Sequence, residues 1–136
     1  MTEYISGKRL FRVVGFDPSH RQLRLWSEAL AVEGTSTRVE VWIGHVELMF
    51  LKPYYRDGLH VRPATAAEFA VLSERHGIPE DDAVWTWMLA PGDGSFVVGG
   101  NPAWREAEYD LMDGESLFDF GRPWPPPYPA RWGMVE

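Results

Sequence analysis

Cysteine is absent from the 136 residues. Disulfides, thiolate nucleophiles and cysteine-based zinc sites are thereby excluded. Lysine is scarce: Lys8 and Lys52 stand against eleven arginines, and 20 acidic residues outnumber 13 basic ones for a formal net charge of −7. A deficit of positive charge disfavours contact with nucleic-acid phosphates, so no nucleic-acid partner is expected. The same balance suits a basic partner, or simply keeps the chain dissolved. No apolar run approaches the ~20 residues of a membrane helix. "MTEYISGKRLF" carries no apolar signal-peptide core, and the expectation is a cytoplasmic protein without membrane contact. Neither G-x-G-x-x-G nor G-x-x-x-x-G-K-[ST] occurs, so the glycines of "VVGGNPAWRE" make no phosphate loop. No solenoid period is present.

What is present is globular: 45% hydrophobic residues, 14% aromatic, seven of them tryptophan. Such a chain can bury a core without metals or disulfides. "LFRVVGF" (10–16) ends at Asp17-Pro18, a turn start, and "RQLRLWS" (21–27) then alternates, which predicts a hairpin. "RVEVWI" (38–43) alternates with Val39, Val41 and Ile43 inward. "HVELMFL" (45–51), with Val46, Leu48 and Phe50 inward, and "GLHVR" (58–62) read as further strands. "TAAEFAVLSERHG" changes the period to that of a helix over 65–76. Thr65 and Glu68 form a capping box, Gly77 follows the end and Pro79 blocks continuation. "AVWTWML" (83–89) and "SFVVG" (95–99) flank the turn "APGDG". Asn101 and Pro102 are placed to start a short second helix. "SLFDF" (116–120) reads as a last strand.

The fold class expected is α+β. It is mainly an antiparallel sheet of about seven strands, curved or a partly open barrel, with one clear helix, a possible short one and a proline-rich C-terminal strap. Residues 1–121 read as one domain, with 122–136 packed on it. "RPWPPPYPARW" matches the peptide patterns P-P-x-Y and P-x-x-P-x-[RK]. Its aromatics recur every four residues, however. A three-residue polyproline turn spreads them around the axis, which suits a buried strap better than a displayed ligand.

Catalytic signatures are weak. "DPSH" (17–20) is explained as a turn. His45, Glu47 and His60 on neighbouring strands resemble a loose metal set, but a solvated strand face explains them, and neither metal nor cofactor is expected. Glu80, Asp81 and Asp82 form one acidic cluster. Glu106, Glu108, Asp110, Asp113, Glu115 and Asp119 form a looser one. Trp26 and Trp42 fall on the polar side of their strands, where large rings need a cover: the helix, the C-terminal segment or a partner.

The runs "FRVVGFDPSHRQLRLWS" and "TRVEVWIGHVELMFL" resemble small uncharacterised bacterial proteins that carry a strand, a turn with a second strand, then a further strand pair. Some acidic proteins of this kind are similar to immunity proteins of toxin systems. The resemblance spans about residues 10–60 and implies no chemistry for any residue. The leading expectation is a non-enzymatic protein-binding module, immunity- or antitoxin-like, that occludes a basic partner. Its face would comprise Trp26, Trp42, Glu80, Asp81, Asp82, Glu106 and Glu108. The alternative is a small-ligand-binding protein or small enzyme with a pocket lined by His45, His60, Trp85 and Trp87. A homodimer built on exposed tryptophan is the third reading.

Overall fold

Period-two alternation becomes strand where one face of a segment finds a core. The structure, a computed structural model, describes residues 3–30, 34–90, 92–108, 116–119 and 121–136. Among these residues are eleven strands: β1 Tyr4–Ile5, β2 Phe11–Asp17, β3 Gln22–Ser27, β4 Arg38–Ile43, β5 Leu48–Phe50, β6 Tyr54–Tyr55, β7 His60–Pro63, β8 Thr86–Met88, β9 Phe96–Val98, β10 Ala103–Ala107 and β11 Ala130–Met134. The expected single curved sheet of about seven strands gives way to two antiparallel sheets. One runs β1-β7-β8-β9-β5, the other β11-β10-β4-β3-β2-β6, and neither closes into a barrel. The extra strands are two- to five-residue pieces, too short to declare a period.

The sheets meet face to face. Leu23 and Leu25 of β3, Val39, Val41 and Ile43 of β4 and Trp104 of β10 share one buried cluster with Val61 of β7, Trp87 of β8 and Val97 of β9. On the far side of the five-stranded sheet, helix α1 (Ala66–His76) lays Phe69 and Leu72 on Met88, Phe96 and Val98. Strands β8 and β9 are therefore buried on both faces, and "TWM" and "FVV" lose the polar half of the alternation.

Helix α1 begins and ends where its caps require. The Glu68 N–H donates to the Thr65 hydroxyl (3.1 Å), and the Thr65 N–H donates to the Glu68 carboxylate (2.8 Å). Gly77 closes the helix in the left-handed region at φ 67°. Arg62 of β7 donates to both oxygens of Glu68 at 2.7 and 2.8 Å, tying the helix start to the sheet. That guanidinium, helped by the cap bonds, holds the Glu68 carboxyl down at about 2, against an ordinary 4.5.

Several local expectations are overturned by tertiary pairing. Residues 83–85 belong to a 3-10 helix, Glu80–Trp85, and the strand begins only at Thr86. The helix expected from Asn101 and Pro102 is strand β10, held by full ladders to β4 on one side and β11 on the other. Ten cross-strand partners outweigh a local helix signal. "HVELMFL" yields only β5, because Gly44 and His45 turn the chain, His45 at φ 52°. Val46 is buried but Phe50 is exposed. Ser116–Asp119 form a turn, the Asp119 N–H donating to the Ser116 carbonyl (3.2 Å), where a strand was expected. Asp110, Asp113, Glu115 and Phe120 lie outside the described residues. Among the described residues no helix is long and apolar enough to cross a membrane.

The C-terminal segment ends as part of a sheet. Strand β11 pairs along all of β10, with Gly133 opposite Trp104, and Val135 beyond it is fully buried. A Cβ on Gly133 would stand 2.8 Å from the Trp104 Nε1, inside the buried indole. Gly133→Ala is accordingly expected to lower unfolding free energy by about 1–3 kcal/mol, the cost of overpacking a site that cannot yield. A shifted urea midpoint at constant slope is the readout; an unchanged midpoint refutes this packing. Glu68 makes a second prediction. Its folded pKa lies below its unfolded one, so its contribution is complete above pH ~4.5 and fades as pH falls toward 2. Stability of Glu68→Gln, followed across that window by thermal melting, should vary less steeply with pH than that of the native chain.

Candidate functional site

The segment Glu80–Trp85 is a two-turn 3-10 helix set between α1 and β8. Acidic residues fill its first turn, where the exposed N–H groups favour negative charge. The Asp82 N–H donates to the Pro79 carbonyl (3.0 Å), and the Thr86 hydroxyl donates to the Asp82 carbonyl (2.9 Å). With three residues per turn, side chains at i and i+3 eclipse. The helix therefore has three distinct faces, and the structure uses each differently. Glu80 and Ala83 line a groove of about 500 Å³ against Ala66, Phe69, Ala70 and Glu74 of α1. Asp81 and Val84 form an exposed crest, Val84 at 70% exposure. Asp82 and Trp85 face a separate cleft of about 330 Å³.

That cleft is completed by His45, Glu47, Val98, Gly99 and Gly100. Its floor is locked by backbone bonds: Gly99 N–H to the Trp85 carbonyl (2.9 Å), Gly100 N–H to the Gly44 carbonyl (2.8 Å) and Glu47 N–H to the Val98 carbonyl (2.8 Å). Gly99 packs closely there: a Cβ would come within 3.1 Å of the Gly44 carbonyl oxygen. Two non-glycine residues in the left-handed region, Arg21 (φ 53°) and His45 (φ 52°), shape the rim. Arg21 reaches Glu47, donating to its carboxylate at 2.6 Å. Asp82 is different: among the described residues its carboxylate has no hydrogen bond or ion pair, and the same holds for Glu80 and Asp81. Trp85 is 45% exposed. No group of three or more His, Asp or Glu among the described residues is arranged to hold a metal ion.

The sequence-derived pocket is thus divided. His45 and Trp85 meet in the cleft. Trp87 is 1% exposed in the inter-sheet core, its indole N–H on the Gly99 carbonyl (3.0 Å). His60 lies on β7 and pairs with Glu3 at 2.7 Å. Asp82 and Glu47 join the cleft from elsewhere. Their meeting was not legible, because it depends on the i, i+3 geometry of a helix where a strand was expected.

The sequence-derived aromatic and acidic face is also divided. Trp26 and Trp42 do lie on the outer face of the six-stranded sheet, but that face has its own cover. Trp26 is only 9% exposed, with the Arg38 guanidinium 4.3 Å above its ring. Trp42 packs on Phe118 at 5.3 Å. Between them Glu40 is fully buried, accepting from the Ser116 hydroxyl (2.6 Å) and the Leu117 N–H (2.9 Å) beside Arg38 (3.5 Å). Burial pushes the Glu40 carboxyl up, against the pull of those donors. Arg105, in register with Glu40, donates to the Leu117 carbonyl (2.7 Å) and sits between the rings of Phe118 and Trp124. Glu106 is held by the Thr37 hydroxyl (2.6 Å), Arg131 (3.3 Å) and Arg9 (3.6 Å). Glu108 is exposed. The "DPSH" residues form a turn, Ser19 and His20 donating to Asp17 and holding its carboxyl at about 2.

These placements separate the tryptophans experimentally. Trp85→Phe is expected to reduce the acrylamide-quenchable emission, whereas Trp26→Phe should leave that quenchable emission unchanged; equal effects would contradict the burial described. No protein-family model matches the chain, and no match is found among curated proteins or solved structures.

Proposed function

We propose that this chain is a non-catalytic binding module that engages a basic protein partner through the 3-10 ridge Glu80–Trp85 and the two hollows beside it. The observation that carries the reading is the ridge itself. Three carboxylates without internal partners among the described residues stand beside exposed Val84 and Trp85. Unpaired charge of one sign steers a partner of the other sign and sets its register. An exposed tryptophan and an aliphatic side chain supply the apolar anchor that such contacts use. Glu74 at the groove adds a further carboxylate beside the ridge, in line with the net charge of −7.

This reading moves the contact surface away from Trp26, Trp42 and Glu106, which serve the protein's own packing. The C-terminal segment acts as a strap over the outer face of the six-stranded sheet and leaves the α1 side as the binding side. An immunity-like role, occlusion of a basic toxin, is the biological form that fits a small acidic binder. The resemblance over residues 10–60 supplies only an analogy for it, since the ridge lies outside that span.

The test compares the native chain with the triple variant Glu80→Gln, Asp81→Asn, Asp82→Asn, each immobilised in extract of the source cell at low salt. A stoichiometric basic protein should be retained by the native chain and released by added salt. With the purified partner, the triple variant should associate about tenfold or more slowly, the scale of lost electrostatic steering. Recovery of no stoichiometric partner, or equal association by the triple variant, overturns the reading.

A further inference from the structure

The cleft beside the ridge has a chemistry narrower than "acidic". We infer that it receives one arginine side chain of the partner, the guanidinium lying on Trp85 and paired with Asp82. This deepens the proposal of an acidic binding ridge and rests on it for the source of the cation.

Three observations converge. Asp82 and Trp85 are i and i+3 on a 3-10 helix, so carboxylate and indole project from one face into one cavity. The cavity, about 330 Å³, lies at the small end of the roughly 300–1,000 Å³ range of ligand pockets and suits a guest of side-chain size. The charge at its wall is unbalanced. Glu47 is already held by the Arg21 guanidinium at 2.6 Å, while Asp82 has no counter-charge among the described residues. The rim thus displays one guanidinium–carboxylate pair and leaves a second carboxylate open.

The identity of the cation follows from shape. A guanidinium is planar and weakly hydrated. It can lie flat on an indole while two N–H groups reach one carboxylate. A lysine ammonium is a strongly hydrated point charge that satisfies only one of these contacts well. Gly99 and Gly100 form part of the wall, which is backbone there.

The probes are three capped tripeptides, acetyl-Gly-X-Gly-amide, with X arginine, lysine or citrulline. Citrulline keeps the shape of arginine and removes its charge. Binding to the full chain is read from indole N–H cross-peaks in the proton–nitrogen spectrum, with Trp85 assigned through Trp85→Phe. The arginine peptide should shift the Trp85 peak saturably, with a dissociation constant in the millimolar range expected of so small a ligand. It should leave the peak of Trp26, on the outer face of the six-stranded sheet, in place. The lysine peptide should bind at least about threefold more weakly, and the citrulline peptide should not saturate. Asp82→Asn, an isosteric change at a residue without internal side-chain partners, should weaken arginine binding about fivefold or more.

Citrulline binding as tight as arginine, arginine binding unaffected by Asp82→Asn, or shifts mapping away from Trp85 would each overturn the inference. Tighter binding of the lysine peptide would replace arginine by a generic ammonium and overturn it too. The two proposals fail separately. If the ridge variant loses its partner but the arginine peptide leaves Trp85 untouched, the ridge stands and the cleft assignment falls. If the peptide binds at Trp85 while the ridge variant keeps its partner, the ridge falls, and with it the partner as the source of the guanidinium that the cleft takes.

Discussion

Strand β8 carries Trp87 into the inter-sheet core and Met88 into the core beneath α1, and β9 divides Val97 from Phe96 and Val98 in the same way. This two-sided burial is the constraint on which the rest hangs. A strand pair with no solvent face cannot slip in register without driving apolar groups out of both cores at once. It therefore fixes everything attached to its ends. The 3-10 ridge enters β8 directly, and Gly99 and Gly100 leave β9 directly. Ridge and cleft floor are thus built on a strand pair buried on both faces, the kind of support a preformed site requires.

The opposite side of the protein solves a harder problem. The outer face of the six-stranded sheet buries Arg38 and Glu40 together with Trp26. Buried charge is costly unless every group finds partners. Here Glu40 receives donors from Ser116, Leu117 and Arg38, and Arg38 is further paired with Glu28 at 3.0 Å. Arg105 is sandwiched by aromatic rings and bonded to a backbone carbonyl. The segment from Ser116 onward does more than cover apolar surface: it supplies the hydrogen bonds that make a charged sheet face tolerable in the interior. β11 then locks it by pairing with β10.

The charges thus fall into two populations. Arg38, Glu40, Arg105 and Glu106 are used internally and hold sheet to tail. Glu80, Asp81 and Asp82 have no such use among the described residues and stand on an exposed ridge beside an open indole. A functional reading belongs with the second population, because a charge already satisfied inside the protein has little left to offer a partner.

Much of the fold was legible because it depends on local rules. The β2–β3 hairpin, the inward set Val39, Val41 and Ile43, the β8–β9 pairing and the capping box of α1 follow from period, turn chemistry and hydrogen-bonding capacity within a few residues. What the sequence by itself determined was which segments can be strand or helix and which faces are apolar. Only tertiary structure decided that Ala103–Ala107 is a strand, since its ladders come from β4 and the distant β11. Only tertiary structure covered Trp26 and Trp42: Arg38 of the neighbouring strand lies over the first ring, and Phe118, some 76 residues along the chain, packs on the second. The cleft joins His45 and Glu47 to Asp82 and Trp85 across two separate stretches of chain. No pattern in either stretch announces the other, because the contact is made by the sheet that brings β5 beside β9, with the ridge at the start of β8.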